Sequence, residues 1–124
     1  MVGAFLVGVG GFFGALARYV LDRRITQLTG GTLPWGTFVI NVSGSFVIGV
    51  LFALIVERAA VNSTGRAPLM IGFIGAYTTF STLALESWRM IEDGAWLTAA
   101  LNLGGSVLVG MVAVVVGVTV GRAI

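Results

Sequence analysis

Residues 72–86 read GFIGAYTTFSTLALE, and the way this stretch folds decides the rest of the chain. It begins and ends inside one apolar segment long enough to cross a bilayer, which takes about 20 residues as helix. Its middle, Gly75-Ala76-Tyr77-Thr78-Thr79, is poor helix material. Glycine loses the most backbone freedom in a helix, and β-branched threonine loses side-chain freedom there. Adjacent threonine hydroxyls also compete for nearby carbonyls. In hydrocarbon an unpaired carbonyl is costly, so an interrupted helix survives only where protein, water or an ion satisfies it. The expectation is a third span, broken near its middle at residues 75–79, that carries the function at the break.

The surrounding composition sets the class. Of 124 residues, 57% are hydrophobic and only 10% are charged, with a mean hydropathy of +1.04. A small soluble domain has proportionally more surface to keep wet and needs more charge than this. Apolar stretches at about 2–21, 35–56, 68–91 and 95–121 account for nearly the whole chain, so residues 1–124 read as a single domain. The fold class expected is an all-α integral membrane protein of four transmembrane helices. The first stretch lacks a basic region ahead of its apolar run and reads as a retained span rather than a signal peptide.

Working outward from the quoted stretch, polar and small residues recur at helical spacing. Span 1 carries Gly10-x-x-x-Gly14, a pair that permits close helix approach in a membrane. Arg18 follows one turn later. It reads either as a cation snorkelling to the headgroups or as one lining an aqueous vestibule. Pro34 and Trp35 open span 2, on which Thr37, Asn41 and Ser45 fall at i, i+4 and i+8 on one face. Asn41 serves either as interhelical glue or as a donor facing a permeant species or holding the broken helix. Pro68 is expected to open span 3 after an ordinary loop through Asn62, Ser63 and Gly65. Glu86 and Arg89, at i and i+3, are placed to pair with each other. Span 4 repeats the pattern with Thr98, Asn102 and Ser106, and Ser106-x-x-x-Gly110 adds a second close-packing pair. Its second half, from Val109 on, is featureless and expected to face lipid or a partner.

Charge and residue types exclude several functions. The chain has no cysteine and no histidine, which removes thiol chemistry, disulfides and the usual transition-metal ligands. No span holds a pair of carboxylates either, so the chain is not read as an enzyme. The pI of 9.9 comes from 7 arginines against 5 acids. They lie singly or in pairs at segment ends, so no nucleic-acid patch forms. Arg58, Arg66 and Arg122 fall on one side of the membrane; Arg23, Arg24 and Arg89 fall on the other. The positive-inside rule needs an imbalance to choose an orientation, and here there is none. Insertion both ways up leads naturally to an antiparallel dual-topology dimer with a pore region at its interface. A proton-coupled exporter of the small multidrug type has this size and topology. It depends on a carboxylate in mid-membrane on its first helix, and span 1 has none before Asp22. A purely structural protein would leave the amide-and-hydroxyl faces unexplained.

The set Gly10/Gly11…Gly14…Arg18, Trp35-Gly36-Thr37…Asn41…Gly44 and Gly72-Phe73-Ile74-Gly75…Thr78-Thr79-Phe80-Ser81-Thr82…Glu86 resembles the Fluc/CrcB fluoride channels across nearly the whole chain. The resemblance implies a passive, fluoride-selective channel in a prokaryotic inner membrane that lets cytoplasmic fluoride run out down its gradient. It implies an antiparallel homodimer in membrane lipid with two antiparallel pores and a central structural Na⁺, held by the backbone carbonyls of Gly75 and Thr78 from both copies. Asn41 corresponds to the pore asparagine and Phe80 to the first pore phenylalanine, whose positive ring edge faces a dehydrated anion. Thr37, Ser81, Thr82 and Ser106 match the polar track, and Arg18 the vestibule arginine. Two positions depart from the family pattern. Leu83 stands where a second phenylalanine is usual, and Asn102 stands where tyrosine often is and takes a donor role. The missing phenylalanine leaves a heterodimer with a paralogue as the alternative assembly.

Overall fold

The computed structural model describes residues 1–124. Four helical stretches are long and apolar enough to cross a membrane: Val2–Thr29, Trp35–Glu57, Ser63–Glu92 and Trp96–Ala123. We label them α1 (Val2–Thr29), α2 (Trp35–Glu57), α3 (residues 63–77), α4 (Phe80–Glu92) and α5 (Trp96–Ala123), with α3 and α4 together forming the third stretch. Only 17 of the 124 residues are buried within the chain, while large apolar side chains from every helix lie on the outside. A surface of this kind suits lipid or protein, not water. The chain is a multi-pass membrane protein.

The helices run further than the apolar stretches suggested. Asp22, Arg23 and Arg24 do not close α1, which continues to Thr29 and ends at Gly30, whose φ of 80° only glycine takes without strain. The third stretch begins not at Pro68 but at Ser63, because the Asn62 side chain accepts the Gly65 N–H at 2.9 Å and caps the helix start. Pro68 therefore lies inside the helix. Having no N–H to close an ordinary turn, it begins a wider π-helical winding through Ile74. The last turns of α2, Phe52–Glu57, are wound the same way.

Glycines decide which helices touch. A Cβ at Gly10 or Gly14 would run into the backbone of Pro68 or Phe73, and one at Gly72 would meet the Val7 carbonyl at 2.5 Å. The Gly10/Gly14 face of α1 thus seats directly on α3, as small residues allow in a membrane. On the other side of the bundle, Gly49 faces Val114 and Gly117 of α5, and Gly117 and Gly121 face Phe46, Val50 and Ala53 of α2. The second half of span 4 is therefore not featureless: Gly117 and Gly121 seat it closely on α2, while Met111, Val112, Val115 and Val116 lie on the outside as expected. The Ser106/Gly110 pair is looser, a Cβ at Gly110 making only ordinary contact with Ser45 Oγ at 3.5 Å.

The third stretch bends between Tyr77 and Phe80. Thr78 (φ −81°, ψ 158°) and Thr79 (φ −151°, ψ 114°) are extended. Gly75, Ala76 and Tyr77 remain helical, so the irregular backbone covers two residues rather than five. The reason lies in Tyr77. Its ring is buried and stacks on Phe73 at 6.1 Å, and its hydroxyl meets Ser43 Oγ at 2.9 Å. These contacts pin the last turn of α3 and push the irregularity onto the threonines. Thr79 then restarts the helix, its Oγ1 accepting the Thr82 N–H at 3.3 Å.

Candidate functional site around the bend in the third span

Turning two peptides out of the helical ladder redirects their donors and frees their neighbours' acceptors. In a continuous helix the Thr79 N–H would donate to Gly75. Here it donates to Asn41 Oδ1 at 2.7 Å, while Asn41 Nδ2 donates to the Thr79 carbonyl at 2.9 Å. One amide thus grips both polar atoms of one residue, which settles Asn41 as the side chain holding the bend. In the same way the Thr82 N–H, the helical donor for Thr78, turns to Thr79 Oγ1. The carbonyls of Gly75 and Thr78 are therefore left without their helical donors. Gly75 lies on the outside of the chain, and the space next to its Cα is open, the nearest atom to an added Cβ being Met70 O at 3.9 Å. Of the two carbonyls between them in sequence, that of Ala76 accepts from Arg18 Nε at 3.2 Å.

Two clefts flank the bend and share Thr79 as a wall. The first, about 270 Å³, is lined by Asn41, Gly44, Ser45, Ile48, Ile74, Thr78, Thr79, Phe80, Leu83, Ser106 and Val107. Ser106 is buried, and its Oγ has no hydrogen-bond partner in the chain. A buried hydroxyl left unpaired is a donor waiting for an acceptor. Phe80 is 73% exposed, so its ring borders the cleft without being packed away. The second cleft, about 150 Å³, is lined by Arg18, Tyr19, Asp22, Thr37, Ile40, Thr79 and Thr82. Thr37, buried, donates to Glu86 Oε1 at 2.7 Å, and Glu86 Oε2 is buried without a partner.

The residues singled out in the sequence thus fall into separate groups. Asn41, Phe80 and Ser106 share one cleft with Thr78, and Arg18, Thr37 and Thr82 share the other. Ser81 is exposed beside the bend, its Oγ 3.5 Å from Thr79 Oγ1. Asn102 lies in neither. It borders an apolar cleft of about 340 Å³ with Trp35, Phe38 and Met90, and its Nδ2 donates to Ser87 Oγ at 2.9 Å. Ser87, fully buried, passes the chain on to the Leu83 carbonyl at 2.8 Å. Asn102 therefore ties α5 to α4, and within one copy Thr98 and Asn102 border a different cleft from Ser106. Glu86 turns to Thr37 instead of Arg89; the one ion pair in the chain joins Arg122 to Glu57 at the bundle's end. Sequence reading missed the Thr37–Glu86 and Ser43–Tyr77 pairs. Both are contacts between spans, for which spacing along one helix carries no signal.

The clefts are lined by hydroxyls, the Asn41 amide, the Phe80 and Tyr19 rings, the Arg18 guanidinium and the Asp22 carboxylate, with no cluster of three or more His, Cys, Asp or Glu that could hold a metal. The chain is thus a multi-span membrane protein whose third span bends between two clefts that carry polar side chains. Residues 5–118 match the family model described as CrcB-like protein, Camphor Resistance (CrcB), and the chain belongs to this family. It is 42% identical over 118 residues to the Fluoride-specific ion channel FluC of Magnetococcus marinus, covering 95% of this chain and 96% of that one. It is similarly related to the proteins of that name from Hydrogenovibrio crunogenus, 39% identical over 94% of this chain and 88% of that one, and Nitrosococcus oceani, 39% identical over 95% and 94%.

Proposed function

We propose that this chain is a passive fluoride channel of a prokaryotic inner membrane, working as a dimer of two inverted copies and releasing fluoride down its gradient. The observation that carries the reading is the position of Thr79. Its peptide is fixed by Asn41, and its side chain borders both polar clefts. A small anion passing the bend meets, in turn, Arg18 and the threonines of one cleft, then Phe80 and the unpartnered Ser106 hydroxyl of the other. Fluoride is small and accepts strong hydrogen bonds, so neutral hydroxyl donors and a positive ring edge recover much of what dehydration costs it. Chloride is larger and accepts more weakly, so it recovers less. The relatives' shared name, fluoride-specific ion channel, supports the choice of anion.

The same reading gives the Gly75 and Thr78 carbonyls a structural Na⁺ shared with the inverted copy. The donor set fits: two hard oxygens stripped of their helical donors, at a bend whose Gly75 lies on the outside of the chain, where hydrocarbon alone would leave a carbonyl unsatisfied. A cation bound there supplies positive potential near the passing anion. The even spread of arginines over the two membrane faces supports insertion in both orientations.

The test is fluoride efflux from liposomes, followed with a fluoride electrode alongside chloride. The unaltered protein should pass fluoride and not chloride, and Phe80→Ile, which removes an exposed ring without opening the core, should cripple the flux. Normal fluoride flux in Phe80→Ile, or equal flux of both anions in the unaltered protein, would overturn the assignment.

A further inference from the structure

We infer that Arg18 is a positioning residue for the bend, anchored through Nε, and not simply a cation that draws anions to the mouth of a cleft. With Thr78 extended, the Ala76 carbonyl no longer faces the Phe80 N–H, its helical donor. Arg18 crosses from α1 to supply the replacement, its Nε donating to Ala76 O at 3.2 Å. Asn41 performs the matching task from α2, holding the Thr79 N–H at 2.7 Å and the Thr79 carbonyl at 2.9 Å. The two side chains come from different helices and grip peptides either side of Thr78.

Arg18 engages no carboxylate. The only ion pair in the chain is Arg122 with Glu57, and the Nε contact is the one hydrogen bond Arg18 makes. Asp22, one turn further along α1, lines the same cleft without bonding to it. The guanidinium is therefore held by the backbone of the bend and leaves its terminal nitrogens free toward the cleft it lines. Anchoring one nitrogen fixes where those remaining donors sit, so the bend and the cleft are set by the same side chain. The anchor also draws the Ala76 carbonyl toward α1, so that among the carbonyls turned out of the ladder at the bend this one is satisfied from within the chain.

Chain length separates anchoring from charge. A glutamine amide nitrogen is as many bonds from Cα as the arginine Nε, so Arg18→Gln keeps the donor and removes the charge. In Arg18→Lys a methylene occupies that position, so the charge stays and the anchoring donor is lost. Backbone amide exchange over residues 76–82, measured on the purified protein in nanodiscs, reads the bend directly. Loss of a charge-assisted bond to a backbone carbonyl should speed exchange there by about tenfold or more in Arg18→Ala and Arg18→Lys. Arg18→Gln should stay within about threefold of the unaltered protein. Fluoride flux should follow the same order, with Arg18→Gln faster than Arg18→Lys. The exchange measurement stands whatever ion is carried, so failure of the fluoride reading would not touch it. Equal exchange in all four proteins, or protection that follows charge with Lys protected and Gln not, would overturn the inference.

Discussion

Replacing Asn41 by leucine tests how much of the bend rests on one amide. Leucine has the same branched shape, though it is larger, and offers neither donor nor acceptor, so the bonds of 2.7 Å and 2.9 Å to Thr79 are both lost. The Thr79 N–H and carbonyl are then left unpaired, at about 1–3 kcal/mol each when buried. Thr79 is only half-buried, which favours the lower end and a total of about 2–3 kcal/mol. Against a whole stability of about 5–15 kcal/mol this is a large fraction and easily resolved. Asn41→Asp adds a sign. A protonated carboxyl reproduces the donor–acceptor pair of the amide, whereas a carboxylate sets oxygen against the Thr79 carbonyl. The aspartate variant should therefore be more stable at a pH where its side chain is protonated than at one where it is ionised. Equilibrium unfolding in mixed detergent–SDS micelles, run across pH on all three proteins, supplies the comparison. A leucine variant within about 0.5 kcal/mol of the unaltered protein, or an aspartate variant that gains stability with rising pH, would refute the reasoning.

Gly14→Ala drives a methyl into the Phe73 backbone, and should destabilise the α1–α3 contact by about 1–3 kcal/mol in the same unfolding assay. Gly3→Ala, in open space, serves as its neutral control. Ser106→Ala removes a buried hydroxyl that has no partner, so stability should hold or rise slightly while fluoride flux falls; a stability loss above about 1 kcal/mol would show that the hydroxyl is satisfied in the resting protein. The chain has no cysteine, so Gly75→Cys carries a single thiol at a position where a side chain meets open space. In membranes it should crosslink to a dimer on mild oxidation, with Gly104→Cys on α5 as the control that does not.

What the sequence revealed and what it hid divide along a physical line. Features within one helix were legible. The apolar lengths named four spans, the Gly10/Gly14 pair named a close-packing face of α1, and the run at 75–79 marked the region of the interruption, of which only the last two residues leave the helix. Features set by a neighbouring helix were hidden. That Tyr77 keeps residues 75–77 helical depends on Ser43 of α2 and on stacking with Phe73. Glu86 prefers Thr37 to Arg89 because α2 brings a buried hydroxyl to it. The same holds for the site. Asn41 was legible as an amide needing a partner, but only the fold identifies that partner as the Thr79 peptide. Asn102 shares its i, i+4 spacing with Ser106, yet Ser87 draws it to a different interface. The Asn62 cap was readable from local sequence, and the proline after it masked the signal.

The central claim is that the bend at Thr78–Thr79 is where two inverted copies meet around a cation. A structure of the protein in lipid nanodiscs with Na⁺ tests it most directly. The account predicts a density peak on the two-fold axis in coordinating contact with the Gly75 and Thr78 carbonyls of both copies. Those carbonyls facing lipid, or a third helix hydrogen-bonded without interruption from Ser63 to Glu92, would contradict it.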